Sequence, residues 1–184
     1  MSFLKSLPPE AALLDVFRAF PDTAKPLLHF HEALLRAESS LSVAERELIA
    51  AFVSGLNACA YCHGIHTATA EAFGVEEGLL EELLKDVDAS SVDEKMKPIL
   101  RYVQKLTLTP SRMTPADADA VYAVGWDDRA LYDAVTVCGL FNLMNRMVEG
   151  LGIVPAAGYH AESGRRLHEL GYAGLAVKLD EPAG

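Results

Sequence analysis

Apolar residues recur three or four apart along almost the whole chain, and no stretch alternates β-branched with polar residues, so the pattern is that of helices packed on helices. Proline and glycine cut it into segments. Pro8 and Pro9 precede a run to about Phe20 with Leu13, Leu14, Phe17 and Phe20 on one face, and a second run after Pro21 carries Leu27, Leu28, Phe30, Leu34 and Leu35. Ser42 and Glu45 predict a capping box that opens a helix through Leu48, Ile49, Phe52, Val53 and Leu56. Gly55 and Asn57 end it, and Asn57 is the expected cap of the next helix, through Cys59, Cys62, His66 and Phe73 to Gly74. A short acidic helix covers Leu79 to Leu84. Ser91 and Glu94 predict another capping box ahead of Ile99, Leu100, Val103 and Leu106, with Pro98 delaying or kinking its start. Thr114 and Pro115 open a helix that Gly125 stops, and Asp127 or Asp128 opens a long one through Leu131, Val135, Cys138, Phe141 and Met144 to about Gly150. The tail from Pro155 is richer in Gly and Ala and yields no assignment.

At 184 residues, one all-helical domain over 1–184 is expected, since domains average roughly 150 residues. The excess of 26 acidic over 16 basic residues, a formal charge of −10, excludes a nucleic-acid groove or an anionic membrane surface as the main partner. No apolar run reaches the roughly 18 residues of a membrane span. The first ten residues hold too short an apolar run before Pro8 and Pro9 for a signal peptide, and the cysteines number three, an odd set, so a cytoplasmic setting is expected. There, two closely spaced cysteines mean metal or redox chemistry before a structural staple. A weak echo between Ser54-Gly55-Leu56-Asn57 and Gly139-Leu140-Phe141-Asn142, 85 residues apart, is compatible with duplication of a helical unit.

The chemistry-bearing stretch is Cys59-Ala60-Tyr61-Cys62-His63-Gly64-Ile65-His66. On a helix turning about 100° per residue, Cys59, Cys62 and His66 fall within an arc of about 60°, on the stripe that continues through Ala70 and Phe73. That stripe faces the interior or a pocket, with His63 near its other edge as a rival to His66. Residues three apart hold their Cβ atoms about 5–6 Å apart, whereas a disulfide needs about 3.5–4.5 Å, so a Cys59–Cys62 bond is expected to be strained and easily reduced, as a catalytic pair requires. First-turn N–H groups and a nearby imidazolium favour the thiolate. If the chain reverses near Asn57, Glu47 meets His66 or Thr67, giving an acid/base relay beside the thiols. Glu45, further round the helix and used as a cap, is the weaker partner.

Two other readings of the same residues are cysteines serving as small core side chains, and zinc held by Cys59, Cys62 and His66 or His63. No second cysteine pair closes a structural zinc site, which favours the redox pair. Cys138 is expected to be inert packing. His29 and His31, two apart, lie on different helix faces and share no metal. Asn145, Arg146 and Glu149 form a polar patch expected to serve a buried ion pair or a subunit contact. His160 and His168 are expected at the surface.

The run Glu45-Arg46-Glu47-Leu48, then Val53-Ser54-Gly55-Leu56-Asn57, then Cys59-Ala60-Tyr61-Cys62 and His66 resembles the core of the alkylhydroperoxidase D and carboxymuconolactone decarboxylase superfamily. With Phe141-Asn142-Leu143-Met144-Asn145-Arg146 it is most similar to the peroxidase-related branch. The resemblance implies an all-helical, alkylhydroperoxidase D-like fold assembled as a homo-oligomer (dimer, trimer or hexamer), with a redox core over 42–74 and no bound cofactor or metal. It implies a thiol peroxidase acting on small hydroperoxides through Glu47, Cys59, Cys62 and His66. Peroxide oxidises Cys62 to a sulfenic acid, Cys59 resolves it to a disulfide, and an external thiol reductant, either a donor protein or a lipoyl-type dithiol, reopens it. Tyr61 stands where the alkylhydroperoxidase pattern has a histidine. The decarboxylase branch lacks the cysteine pair, which disfavours lactone decarboxylation. The alternatives are an acid/base enzyme of that branch, using Glu47 and His66 on a carbon acid, and a redox sensor or zinc-binding protein without turnover.

Overall fold

In a computed structural model that describes residues 2–156 and 158–179, the apolar periodicity resolves into α-helices and one short 3-10 turn at Pro110–Arg112. They are α1 (Leu13–Ala19), α2 (Pro21–Arg36), α3 (Val43–Leu56), α4 (Ala60–Ala72), α5 (Leu79–Lys85), α6 (Lys97–Leu108), α7 (Pro115–Ala123), α8 (Asp128–Gly150) and α9 (Tyr159–Lys178). The all-α class expected from the sequence follows.

The central element is α3, which packs against α2, α4, α5, α6 and α8. Every residue from Arg46 to Ser54 is buried, the condition under which a helix is apolar on all sides. Its start is the expected capping box: the Glu45 N–H donates to Ser42 Oγ at 3.2 Å and the Ser42 N–H donates to Glu45 Oε2 at 2.7 Å.

The turn into α4 departs from expectation. Ala58 takes a left-handed φ of 54°, and the cap of α4 is Cys59, in extended backbone at φ −82° and ψ 92°. Asn57 instead turns to α8, its Nδ2 donating to Asn145 Oδ1 at 2.9 Å and Asn142 Oδ1 at 3.2 Å, while Asn145 Nδ2 donates to Ser54 Oγ at 3.0 Å. The two ends of the sequence echo, Asn57 and Asn142, therefore touch, and the helix-pair arrangement is consistent with internal duplication.

The second predicted capping box does not form. Ser91 uses its N–H and hydroxyl on Glu82 at 2.8 and 2.9 Å, and α6 begins at Lys97. Proline lacks an N–H and is tolerated in a first turn, so Pro98 sets where α6 can begin. Asp127 caps α8, accepting from the Ala130 N–H at 2.8 Å.

The unassigned tail is α9, the largest departure from expectation. It packs on α4 and α2 and is kinked at Gly171, whose φ of 62° and ψ of −167° only glycine adopts readily. The Glu32 carboxylate fits against that kink and accepts the N–H groups of Tyr172 and Ala173 at 2.7 and 2.9 Å. Among the described residues, no helix is long and apolar enough to cross a membrane.

Candidate functional site

Because α3 and α4 run back against each other across the turn at Asn57, Glu47 and His66 meet, with His66 Nδ1 2.7 Å from Glu47 Oε2. Glu47 has no exposed surface. Arg36, at the end of α2, donates from Nη1 to Glu47 Oε1 at 2.6 Å, and the Tyr172 hydroxyl donates to the same oxygen at 3.1 Å. A buried carboxylate is stable only when paired and hydrogen-bonded, and these three groups meet that condition. Burial alone would raise the Glu47 carboxyl, but its pairing with His66 and then with Arg36 outweighs it and holds the group below the ordinary carboxylate value. Burial, and then the Glu47 charge, push the Tyr172 phenol well up, which keeps it a donor. Arg36 is itself held between the rings of Phe73 and Tyr172, each centroid 5.0 Å away.

The carboxylate accepts from Nδ1, so that nitrogen carries the proton and Nε2 is the free nitrogen of His66. The ring meets Phe141 edge-on at 4.4 Å and lines a cavity of about 80 Å³. Its walls are mainly apolar, with Phe17, Leu28, Ile65 and Met144 among them. The polar residues on the wall include Tyr61 and Tyr159, whose hydroxyls are 2.7 Å apart with Tyr61 donating, and Ser163, whose Oγ accepts from Arg166 Nη2 at 3.1 Å.

The structure overturns the disulfide cycle expected of Cys59 and Cys62. The spacing of the two sulfurs does not become a redox-active disulfide; Cys59, Cys62 and Cys138 are all free, buried thiols. The physical reason is local. Cys59 is an extended cap residue, so the 100°-per-residue stripe begins only after it, and its side chain is fully buried while that of Cys62 is 4% exposed. The neighbouring Cys59 thiol, and then burial, push the Cys62 thiol up. The readings as a CxxC peroxidase and a redox-active disulfide enzyme are withdrawn on this geometry. Among the described residues, no three His, Cys, Asp or Glu side chains are arranged to hold a metal, so the zinc set does not assemble either.

The remaining candidates fall away from the site. His63 uses Nδ1 on the Ala51 carbonyl at 2.9 Å, outside the dyad. Cys138 packs against Thr107, 3.2 Å from its hydroxyl. Asn145 joins the Asn57–Ser54 network rather than an ion pair, and Arg146 binds back on Asn142 at 2.7 and 2.9 Å. His168 is exposed, while His160 is half-buried, its ring packed on Gly64. Arg36, Tyr172 and His31 were not singled out from sequence as site residues. Arg36 carried a faint signal as a cation closing an apolar run, Leu34-Leu35-Arg36; Tyr172 lay in a tail whose glycines hid the helix.

A model of the carboxymuconolactone decarboxylase family matches residues 21–105, the stretch from the start of α2 into α6 that carries His31, Arg36, Glu47 and His66. An uncharacterized protein of Bacillus subtilis (strain 168), YdfG, is 28% identical over 115 residues, 62% of this chain and 78% of that protein. The crystal structure of an uncharacterized peroxidase-related protein from Silicibacter sp. TM1040 superposes with a TM-score of 0.75 at 28% identity, covering 80% of this chain and 78% of that one. A likeness in fold extends to an alkylhydroperoxidase AhpD core, an uncharacterized peroxidase-related protein from Ralstonia eutropha JMP134, with a TM-score of 0.73 at 22% identity over 79% of this chain and 76% of that one. The chain thus matches the carboxymuconolactone decarboxylase and AhpD-like, peroxidase-related superfamily by a family model over residues 21–105 and by its structural neighbours.

Proposed function

We propose that the protein is an acid/base enzyme of the carboxymuconolactone decarboxylase type, acting on a small carbon acid through Glu47 and His66. The observation that carries this reading is the fully buried Glu47 carboxylate bonded to His66 Nδ1 at 2.7 Å, in a ring that lines an apolar cavity. His66 Nε2 takes a proton from a carbon next to a carbonyl, and Glu47, fixed by Arg36 and Tyr172, stabilises the imidazolium that forms. Charge then develops on the substrate carbonyl oxygen. The Tyr159 hydroxyl, whose oxygen already accepts from Tyr61, keeps its own proton to donate to that oxygen. Cys62 contributes wall surface, and neither a hydroperoxide nor a thiol donor enters this reading. The single domain over 1–184, the homo-oligomer and the cytoplasmic setting expected from the sequence belong to this proposal as well.

The test is hydrogen–deuterium exchange at the α-carbon of small ketones and lactones in deuterated water, followed by proton NMR. Catalysed exchange is expected to fall at least about 100-fold in His66→Gln and Glu47→Gln and to survive in the Cys59→Ser/Cys62→Ser protein. Exchange that persists in His66→Gln, or that disappears with the cysteines, refutes the assignment.

A further inference from the structure

Two imidazoles line the cavity, and the proton transfer proposed above uses one of them. The other belongs to His31 on α2, 3% exposed, whose Nδ1 lies 2.8 Å from the Leu27 carbonyl oxygen one turn back. A carbonyl oxygen only accepts, so Nδ1 carries the proton and the lone pair is on Nε2. The ring is set by Tyr172, 5.0 Å away and tilted, and by Phe141, edge-on at 6.1 Å. With Nδ1 turned back onto its own helix, Nε2 is the nitrogen left open on this cavity-lining residue, and among the described residues no donor to it is found. Burial, reinforced by the nearby His66 and opposed by the Leu27 hydrogen bond and Glu47, brings His31 down to about 4, so the ring is neutral at pH 7. Of the other polar groups on the wall, Tyr61 donates to Tyr159 and Arg166 Nη2 to Ser163, while Arg166 Nε and the Tyr159 proton are donors without a partner among the described residues, so the acceptor left open, apart from His66 Nε2, is His31 Nε2. His31 is thus an unpaired acceptor in an apolar chamber, and such an atom selects a ligand able to satisfy it.

We propose that His31 is a ligand-binding residue and that the cavity takes a small, mainly apolar molecule bearing an O–H or N–H group, this donor bonded to His31 Nε2 while the acidic C–H faces His66 Nε2. The inference deepens the acid/base reading and rests on it for the identity of the cavity as the reaction site.

Pyrrole and furan test it: both are five-membered rings suited to a cavity of about 80 Å³, and only pyrrole has an N–H to donate. In the unmodified protein at pH 7, pyrrole is expected to shift the 15N resonance of His31 Nε2 upfield, and furan is not. His31→Phe is expected to weaken pyrrole binding about tenfold or more while leaving furan within about twofold. The proposal is overturned if pyrrole leaves the His31 resonance unmoved, if His31→Phe weakens both probes equally, or if pyrrole binding is lost in His66→Gln and kept in His31→Phe. Pyrrole is read here by binding alone, without proton abstraction from carbon. Intact discrimination with no catalysed deuterium exchange would therefore refute the acid/base reading and leave the acceptor role standing, and the converse result would refute the acceptor role alone.

Discussion

Glu47 and His31 illustrate two ways of keeping an ionisable group inside an apolar interior. Glu47 stays charged because Arg36, His66 and Tyr172 occupy its oxygens; His31 stays neutral because a carbonyl fixes its tautomer and burial penalises the cation. Both make the fold sensitive to acid in the same direction. His31 has a folded value of about 4 against 6.5 for the ordinary ring, so between those limits the unfolded chain binds the proton and stability falls as the pH falls. A shift of that size corresponds to about 3 kcal/mol as an upper figure. The lowered Glu47 carboxyl gives stability that is full above the ordinary carboxylate range and is lost as the pH falls through its folded value, so its loss begins lower than that of His31. Urea denaturation at pH 7, 5.5 and 4 is expected to show a midpoint dropping across the whole interval. In His31→Phe the fall from pH 7 to 5.5 is expected to flatten; an unchanged slope there would mean that another group carries the acid sensitivity.

At the scale of the element, α3 was legible and α9 was not, for opposite reasons. The start of α3 rests on a local exchange of hydrogen bonds between Ser42 and Glu45, which a spacing of three residues announces. The course of α9 rests on a kink at Gly171 held by Glu32, 140 positions from the Tyr172 N–H it accepts, and no local pattern encodes that. The same distinction explains Cys59: whether it begins the helix or caps it depends on the left-handed turn at Ala58. The kink is what delivers Tyr172 to Glu47. Gly171→Ala forces a side chain into a glycine-only conformation and sets its Cβ 2.7 Å from Glu32 Oε2. A cost of about 1–3 kcal/mol is expected in thermal denaturation, together with loss of the Tyr172 hydrogen bond to Glu47, read as faster hydroxyl-proton exchange. A thermal midpoint equal to that of the unmodified protein would show that the kink is not needed for docking.

For the molecule as a whole, the cavity is assembled from segments far apart in the chain: α2 supplies His31, α4 supplies His66 and Cys62, α8 supplies Phe141, and α9 closes it with Tyr159, Ser163 and Tyr172. The close approach of α9 to α4 depends on Gly164, where a Cβ would lie 2.7 Å from the Ala68 Cβ and 2.9 Å from its carbonyl carbon. Backbone cannot yield there cheaply. Gly164→Val is expected to undock α9: its amides should exchange with solvent at least about tenfold faster while those of α3 stay protected, and catalysed deuterium exchange should fall with the opened cavity. Uniform protection across both helices would show that the two helices can separate slightly without cost. The sequence by itself determined the helical class, the cap and buried run of α3, and the convergence of Glu47 with His66, because periodicity, caps and a short reversal act over a few residues. Only the tertiary structure decided that the cysteines are free, buried thiols and that Arg36, Tyr172 and His31 surround the dyad. Those outcomes depend on which distant helix lies against which, and on what the shared interior does to each proton.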